Sequence, residues 1–201
     1  MLLNRPLALG IILMLVAVTA GLWWPWLAAR ILYAPVITPL LEAISGDPIL
    51  LEAVRDQNRR LAHVSEAYIR AVDEAWTAEK NGGELAATML DTSASRRLRE
   101  LLGATRGVVR HAILMDARGL NVAIAYPTTD YFQGDESKWL MTFGRPSATR
   151  HKGAVETGHD GTFPSCWVSA PLNEPNTKDP IGAISLEVNA LLVRDTWCNR
   201  D

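Results

Sequence analysis

With 201 residues, 48% of them hydrophobic, the chain can close one ordinary globular core and still carry an apolar segment, but it is too short for two full cores. A formal charge of −2, from 20 Lys and Arg against 22 Asp and Glu scattered along the chain, provides no basic field for nucleic acid. Its two cysteines, Cys166 and Cys198, fit no metal-ligand spacing and argue against a structural zinc site.

From Leu7 to Ala29 there is no charged side chain, and about 20 such residues at 1.5 Å each cross the hydrocarbon core of a bilayer. Residues 1–30 are therefore expected to be a membrane anchor. Trp23, Trp24 and Trp26 suit its headgroup belt. A cleaved signal peptide is the rival, since Val18-Thr-Ala20 offers small residues at a usable cleavage site. Either way the remainder is exported; the expectation is a single-pass protein of the inner membrane with its bulk in the periplasm.

Residues 31–47, with Pro35 and Pro39, read as a juxtamembrane connection or short helix. Asp47 is a good N-cap and Pro48 is at home in a first turn, so a long amphipathic helix is predicted over 48–80, opening the domain 48–201. Leu51, Val54, Asn58, Leu61, Ser65 and Tyr68 alternate steps of three and four along it. That stripe can lie on the chain's own domain, or it can be the seam of a homodimer with Asn58 fixing the register. Asn81-Gly-Gly83 stops the helix, Glu84 to Leu90 forms a short successor, and Ser93 or Ser95 caps another with Leu98, Leu101 and Leu102 inward.

The period then changes to that of strands. Val108 to Met115 and Leu120 to Tyr126 meet across Asp116-Ala-Arg-Gly119, a hairpin turn in which Asp bonds the backbone and Gly takes positive φ. A third strand is predicted over Thr149 to Thr157, a fourth over Phe163 to Leu172 and a fifth over Ile181 to Val188. No strand–helix–strand alternation runs through this half. The class is α+β, a five-stranded antiparallel sheet flanked by short helices.

Between the second and third strands, Thr128 to Trp139 carries more acids, amides and rings than a connection needs. Asp130, Tyr131, Gln133, Asp135 and Trp139, following Tyr126, are the first candidates to hold a small polar or cationic molecule under such an arch. Trp167 and Ser169, two apart on one strand face, can form the floor. Against this, Asp130 can cap a turn, Tyr131 and Trp139 can be hydrophobic anchors, and Trp167 can be core. No Gly-x-Ser-x-Gly, phosphate loop or His-Glu-x-x-His is present, and His63, His111, His151 and His159 share no motif, so neither catalysis nor a cofactor is expected. In an oxidising compartment Cys166 and Cys198 can pair; otherwise they are one buried and one free thiol.

The stretches Met115-Asp-Ala-Arg-Gly-Leu-Asn-Val-Ala123, Thr129-Asp-Tyr-Phe-Gln-Gly-Asp-Glu136, Val168-Ser-Ala-Pro-Leu172 and Pro180-Ile-Gly-Ala-Ile184, in an order of helices before strands, resemble the Cache or PDC family of extracytoplasmic PAS-like sensor domains. That resemblance implies a PAS-like sheet, a small ligand between sheet and arch, and a long helix carrying the change to the membrane. Such sensors continue into a second membrane helix and an output module, whereas this sequence stops at Asp201. The expectation is thus a sensor acting through a separate membrane protein, or an accessory subunit of a membrane complex using the fold as an interaction surface.

Overall fold

The computed structural model describes residues 36–143, 145, 150–193 and 197–199. The apolar run 7–29 lies outside them, and among the described residues no helix is long and apolar enough to cross a membrane.

The first helix, α1 (Ile37–Gly46), buries Ile37, Leu40, Leu41 and Ile44, a helical stripe that packs against α2 (Pro48–Leu61) and α5 (Ser93–Gly103). The segment read as a juxtamembrane connection or short helix thus holds a helix over Ile37–Gly46, and that helix belongs to the domain's core. Asp47 makes the corner. One carboxylate oxygen accepts the backbone N–H groups of Ile49 and Leu50 at 3.0 and 3.3 Å, and the other receives Arg97 Nε of α5 at 2.7 Å.

The single helix predicted over 48–80 is corrected to two, α2 and α3 (Glu66–Ala78). Ser65 caps α3, its hydroxyl accepting from Tyr68 N at 3.2 Å. Arg118, from the distant hairpin turn, donates to the carbonyls of Leu61 and Val64 at 3.3 and 2.6 Å and so satisfies the end of α2. The expected seam is divided by this break. Leu51 and Val54 are buried within the chain, Asn58 donates to Ile181 O at 2.8 Å and accepts from Ala117 N at 2.9 Å, Leu61 is half-buried, Ser65 is a cap and Tyr68 is exposed. Asn58 is a tie to the chain's own sheet.

A 3₁₀ turn, Lys80–Gly82, and α4 (Gly83–Leu90) follow, with Gly82 at φ +78° pressed against Trp76, where a Cβ would come within 2.4 Å of the indole. Helix α5 is capped by Thr92 and not by Ser93 or Ser95, because Thr92 holds the extended backbone that a cap requires. Ser95 accepts Ile124 N at 3.0 Å instead and covers the free edge of a strand.

Strands β1 (Val109–Asp116), β2 (Asn121–Ile124), β3 (His151–Lys152), β4 (Glu156–Thr157), β5 (Pro164–Asn173) and β6 (Pro180–Asn189) form one antiparallel sheet in the order β2-β1-β6-β5-β3, with β4 also on β5. The predicted third strand is thus two short pieces. Between them Ala154 bridges Asn199, so the C-terminal segment takes the place that a continuous strand would fill. A short helix, α6 (Ser137–Leu140), lies in the connection from β2 to β3.

Cys166 and Cys198 are bonded, with Cα atoms 5.7 Å apart, and both are buried. The bridge closes a separation of 32 residues. On the chain-entropy account such a loop is worth roughly 3–4 kcal/mol. Cys198→Ser should lower the urea-unfolding free energy by about that amount. A loss under ~1 kcal/mol would mean that the pairing with Ala154 holds the tail by itself.

Candidate ligand-binding site

Alternation along β1 gives the sheet two different faces. Ala112, Leu114 and Asp116 face α2, where Gln57 Nε2 donates to the Asp116 carboxylate at 3.0 Å and to Asn121 O at 3.1 Å. Asp116 also accepts Arg118 N and Leu120 N at 2.8 and 2.9 Å, so it organises the turn, as its position in the sequence suggests. Burial raises its pKa.

The opposite face is read by following partners across the strands. One row runs Ile124, Ile113, Ser185, Ser169, His151; the next runs Tyr126, His111, Glu187, Trp167. The arch covers this face from one end. Trp76, Ile113, Met115, Ile124 and Ala183 form a cluster there, with Tyr131, Trp139, Phe143 and Trp167 packed on it. The rings leave that end of the face apolar and closed.

The arch is fastened through its backbone. Asp73 of α3 accepts the N–H groups of Tyr131 and Phe132, both at 2.8 Å; Trp76 Nε1 donates to Thr128 O at 3.0 Å, and Trp139 Nε1 donates to Asp116 O at 3.1 Å. Gly119, at φ +79°, lies so close to Gly134 that a Cβ would come within 2.4 Å of its Cα.

Several predicted site residues turn out to serve the arch itself. Asp130 accepts from Gln133 Nε2 through its carboxylate and takes Asn121, Thr128 and Gln133 on its carbonyl; burial raises its pKa. Gln133 is fully buried, with Oε1 unpartnered. Tyr131 lies 5.7 Å from Trp76, and burial pushes its hydroxyl pKa up. Trp139 stacks on Phe143 at 5.2 Å, while Asp135 is exposed.

The polar groups that converge lie on the same face of the sheet, in the rows of Ile113 and Trp167. Ser169 and Ser185 join hydroxyls at 2.7 Å and are fully buried. Beside them His151 holds a buried Nε2 with no partner; burial, then the charge of Arg145, lowers its pKa. Trp167 is half-buried, with Lys138 Nζ 4.8 Å from its ring centre. On the next row Glu187 is buried and accepts Ser165 Oγ at 2.8 Å, His159 N at 2.7 Å and the His159 ring. His111 lies 5.0 Å from His159 and 5.7 Å from Tyr126 and Trp167. Tyr126 and His159 also line a cavity of about 610 Å³ with Val109, Arg99, Arg110 and Asp160.

Of the expected floor and arch, the structure therefore brings Tyr126, Trp167 and Ser169 to one face and leaves Asp130, Gln133 and Asp135 on the arch. His111, His151, His159, Ser185 and Glu187 are the residues that sequence reasoning missed. Two-residue spacing puts His111 on the face of Ile113 and Ser185 on that of Glu187, but only strand pairing sets His111 opposite Glu187 and Ile113 opposite Ser185. Among the described residues no group of three His, Cys, Asp or Glu could hold a metal ion.

Burial foremost, and then the neighbouring His159, lower the His111 pKa from 6.5 to about 4. The unfolded chain binds this proton between those values and the folded chain does not, so stability is complete above pH 6.5 and falls as pH drops toward 4. The loss approaches about 3 kcal/mol at pH 4. His111→Gln should remove most of that decline in a series of urea-unfolding curves from pH 7 to 4; an unchanged slope would assign the acid sensitivity to other groups.

No family model matches the sequence, and no curated protein matches it. Among solved structures, the chain is similar to the sensor domain of the V. cholerae histidine kinase DctB (13% identity, 75% of this chain and 60% of that one, TM-score 0.37). It is similar also to the E. coli DcuS sensor domain (13%, 61% and 86%, TM-score 0.37) and to the sensory domain of the Campylobacter jejuni chemoreceptor Tlp3 with isoleucine bound (10%, 76% and 57%, TM-score 0.34). It thus spans less than two thirds of the DctB and Tlp3 domains. All three are sensor or sensory domains by name.

Proposed function

We propose that this chain is a membrane-anchored, extracytoplasmic sensing domain that binds a small polar molecule without chemistry and reports to a membrane partner. The observation that carries the reading is the unpartnered, buried Nε2 of His151 in one row with the paired hydroxyls of Ser169 and Ser185. A buried polar atom left without a partner costs on the order of 1–3 kcal/mol, and a ligand that meets it recovers that penalty. Trp167, on the neighbouring row, and Lys138 over its ring add an apolar face and a cation. The disulfide accords with an oxidising, exported setting.

A thermal-shift screen of the purified protein against amino acids, carboxylates and amines tests this. A ligand at a hundredfold its Kd stabilises by ~2.7 kcal/mol. His151→Ala leaves the unliganded melting temperature close to that of the wild type, because Nε2 makes no bond, and should abolish the ligand's shift. A shift that survives this substitution would place the site elsewhere. Indifference to every class of molecule would favour the second reading, an accessory subunit of a membrane complex, for which the ring-filled end of the sheet face is the supporting observation.

A further inference from the structure

The tip of the β4–β5 hairpin, Gly158-His-Asp-Gly161, folds back over the polar row of the sheet. His159 enters a small cage there. Its ring stacks on Tyr126 at 5.5 Å and 25°, meets His111 edge-on at 5.0 Å, and bonds the Glu187 carboxylate through Nδ1. Glu187 itself is 1% exposed. An aromatic face with a buried carboxylate at its end is the arrangement by which proteins hold ammonium groups.

From this we propose that His159 is a built-in occupant of a cation subsite, displaced when a ligand's protonated amine binds Glu187. The proposal rests on the sensing reading and names the ligand class: a small molecule with a primary amine. Three features make the exchange feasible. The tip is closed mainly by bonds within the hairpin, Gly158 N to Phe163 O at 2.9 Å and Gly161 N to Gly158 O at 2.8 Å, so it can move as a unit. Its flanking strand β4 is only two residues long, and the outer hold is the half-exposed ion pair of Arg110 with Asp160. Tyr126 and His159 border the 610 Å³ cavity, so a molecule in it meets the hairpin tip, and Glu187 is reached only once His159 moves.

The exchange keeps Glu187 paired. Two donors leave with the tip, the His159 ring from Oε2 and His159 N from Oε1, and an ammonium with three N–H groups arrives, while Ser165 Oγ stays on Oε1. A neutral or anionic molecule of the same size would strip His159 from a buried carboxylate and offer no charge in return, which is costly. The cage therefore selects for cations by the penalty that it imposes on everything else.

The probe is n-propylamine, with propionate and n-propanol as charge controls of similar length, read by calorimetric titration and by the NMR resonances of the His159 ring. In the wild type, propylamine should move those resonances and neither control should. His159→Ala, with the competing ring gone, should bind propylamine about tenfold more tightly, the scale of one charge-assisted hydrogen bond. Adding Glu187→Gln should abolish that gain. The proposal is overturned if His159→Ala binds propylamine no better than the wild type, or if the gain survives Glu187→Gln. Should the double variant fail to fold, His159 resonances that stay still at saturating amine overturn it equally. A sheet face that answers other polar molecules through His151, yet gives none of these results, leaves the sensing reading standing and removes only this one.

Discussion

The knot of hydrogen bonds around Asp116 decides how the two halves of the chain meet. Its carboxylate is filled from three sides, by Arg118 N, Leu120 N and Gln57 Nε2, while the neighbouring Asn58 ties Ile181 O and Ala117 N. The hairpin turn and helix α2 are thereby fixed to each other with no donor of the turn left over. Removing any one member would leave a buried acid or amide short of a partner, and that penalty exceeds what the bond adds when it is made. The same knot sets the helix break, since Arg118 can reach the carbonyls of Leu61 and Val64 only because its turn is held against α2.

With one sheet face committed to α1, α2 and α5, everything distinctive happens on the other. Rings of the arch close part of it, and in the rows beside them His111, Ser169, Ser185 and Glu187 are all buried. Polar residues in such a place lower the stability that apolar ones of similar volume would provide. Their retention is best explained by use. The surface also has two separate covers, the arch anchored by Asp73 and Trp76 and the hairpin tip anchored by Glu187, and the two derive from different connections of the sheet.

What could be read in the sequence was whatever local chemistry fixes. Asp47-Pro48 announced a helix start, Asp116 to Gly119 a hairpin, and the strand-forming runs after Val108 an antiparallel sheet, because capping, positive φ and alternation act within a few residues. Leu61 to Ser65 defeated the reading for the opposite reason. The apolar spacing continues smoothly through it, and the break depends on an arginine 57 residues further along for one of its bonds. The third strand divided because the tail, bonded through Cys198, competes for the edge of β3 and β4. Among the candidate residues, Asp130 and Gln133 had the right chemistry, but Gln133 Nε2 is spent on Asp130 within the arch, a result that no spacing rule reveals. Glu187 was invisible as a site because it lies in a run of strand formers whose buried face only the pairing with His111 and Trp167 identifies.

The division between the covers has a mechanical consequence. Opening the arch would expose Trp76, Tyr131, Trp139 and Phe143 together and break the bonds from Asp73, Trp76 and Trp139, at a cost of several kcal/mol, since burying a single large ring is worth about 1.5–3 kcal/mol. Lifting the hairpin tip disturbs one imidazole, the bond from His159 N to Glu187, one ion pair and a two-residue strand. Of the two, the tip is by far the easier to move, and it stands over the charged row. A ligand entering there would meet Glu187 and Tyr126 first and His151, Ser169 and Ser185 behind them, so selection by charge would precede the fit against the hydroxyls. The ring-packed end would then remain a rigid floor, and the strain of ligand binding would be felt by β5 and β6, which span the face from the hairpin tip to the turn held on α2 by Arg55 and Glu174 at 2.6–2.7 Å. That pair joins the far end of the sheet to the helix, which makes α2 the element through which occupancy of the polar row would reach the rest of the chain.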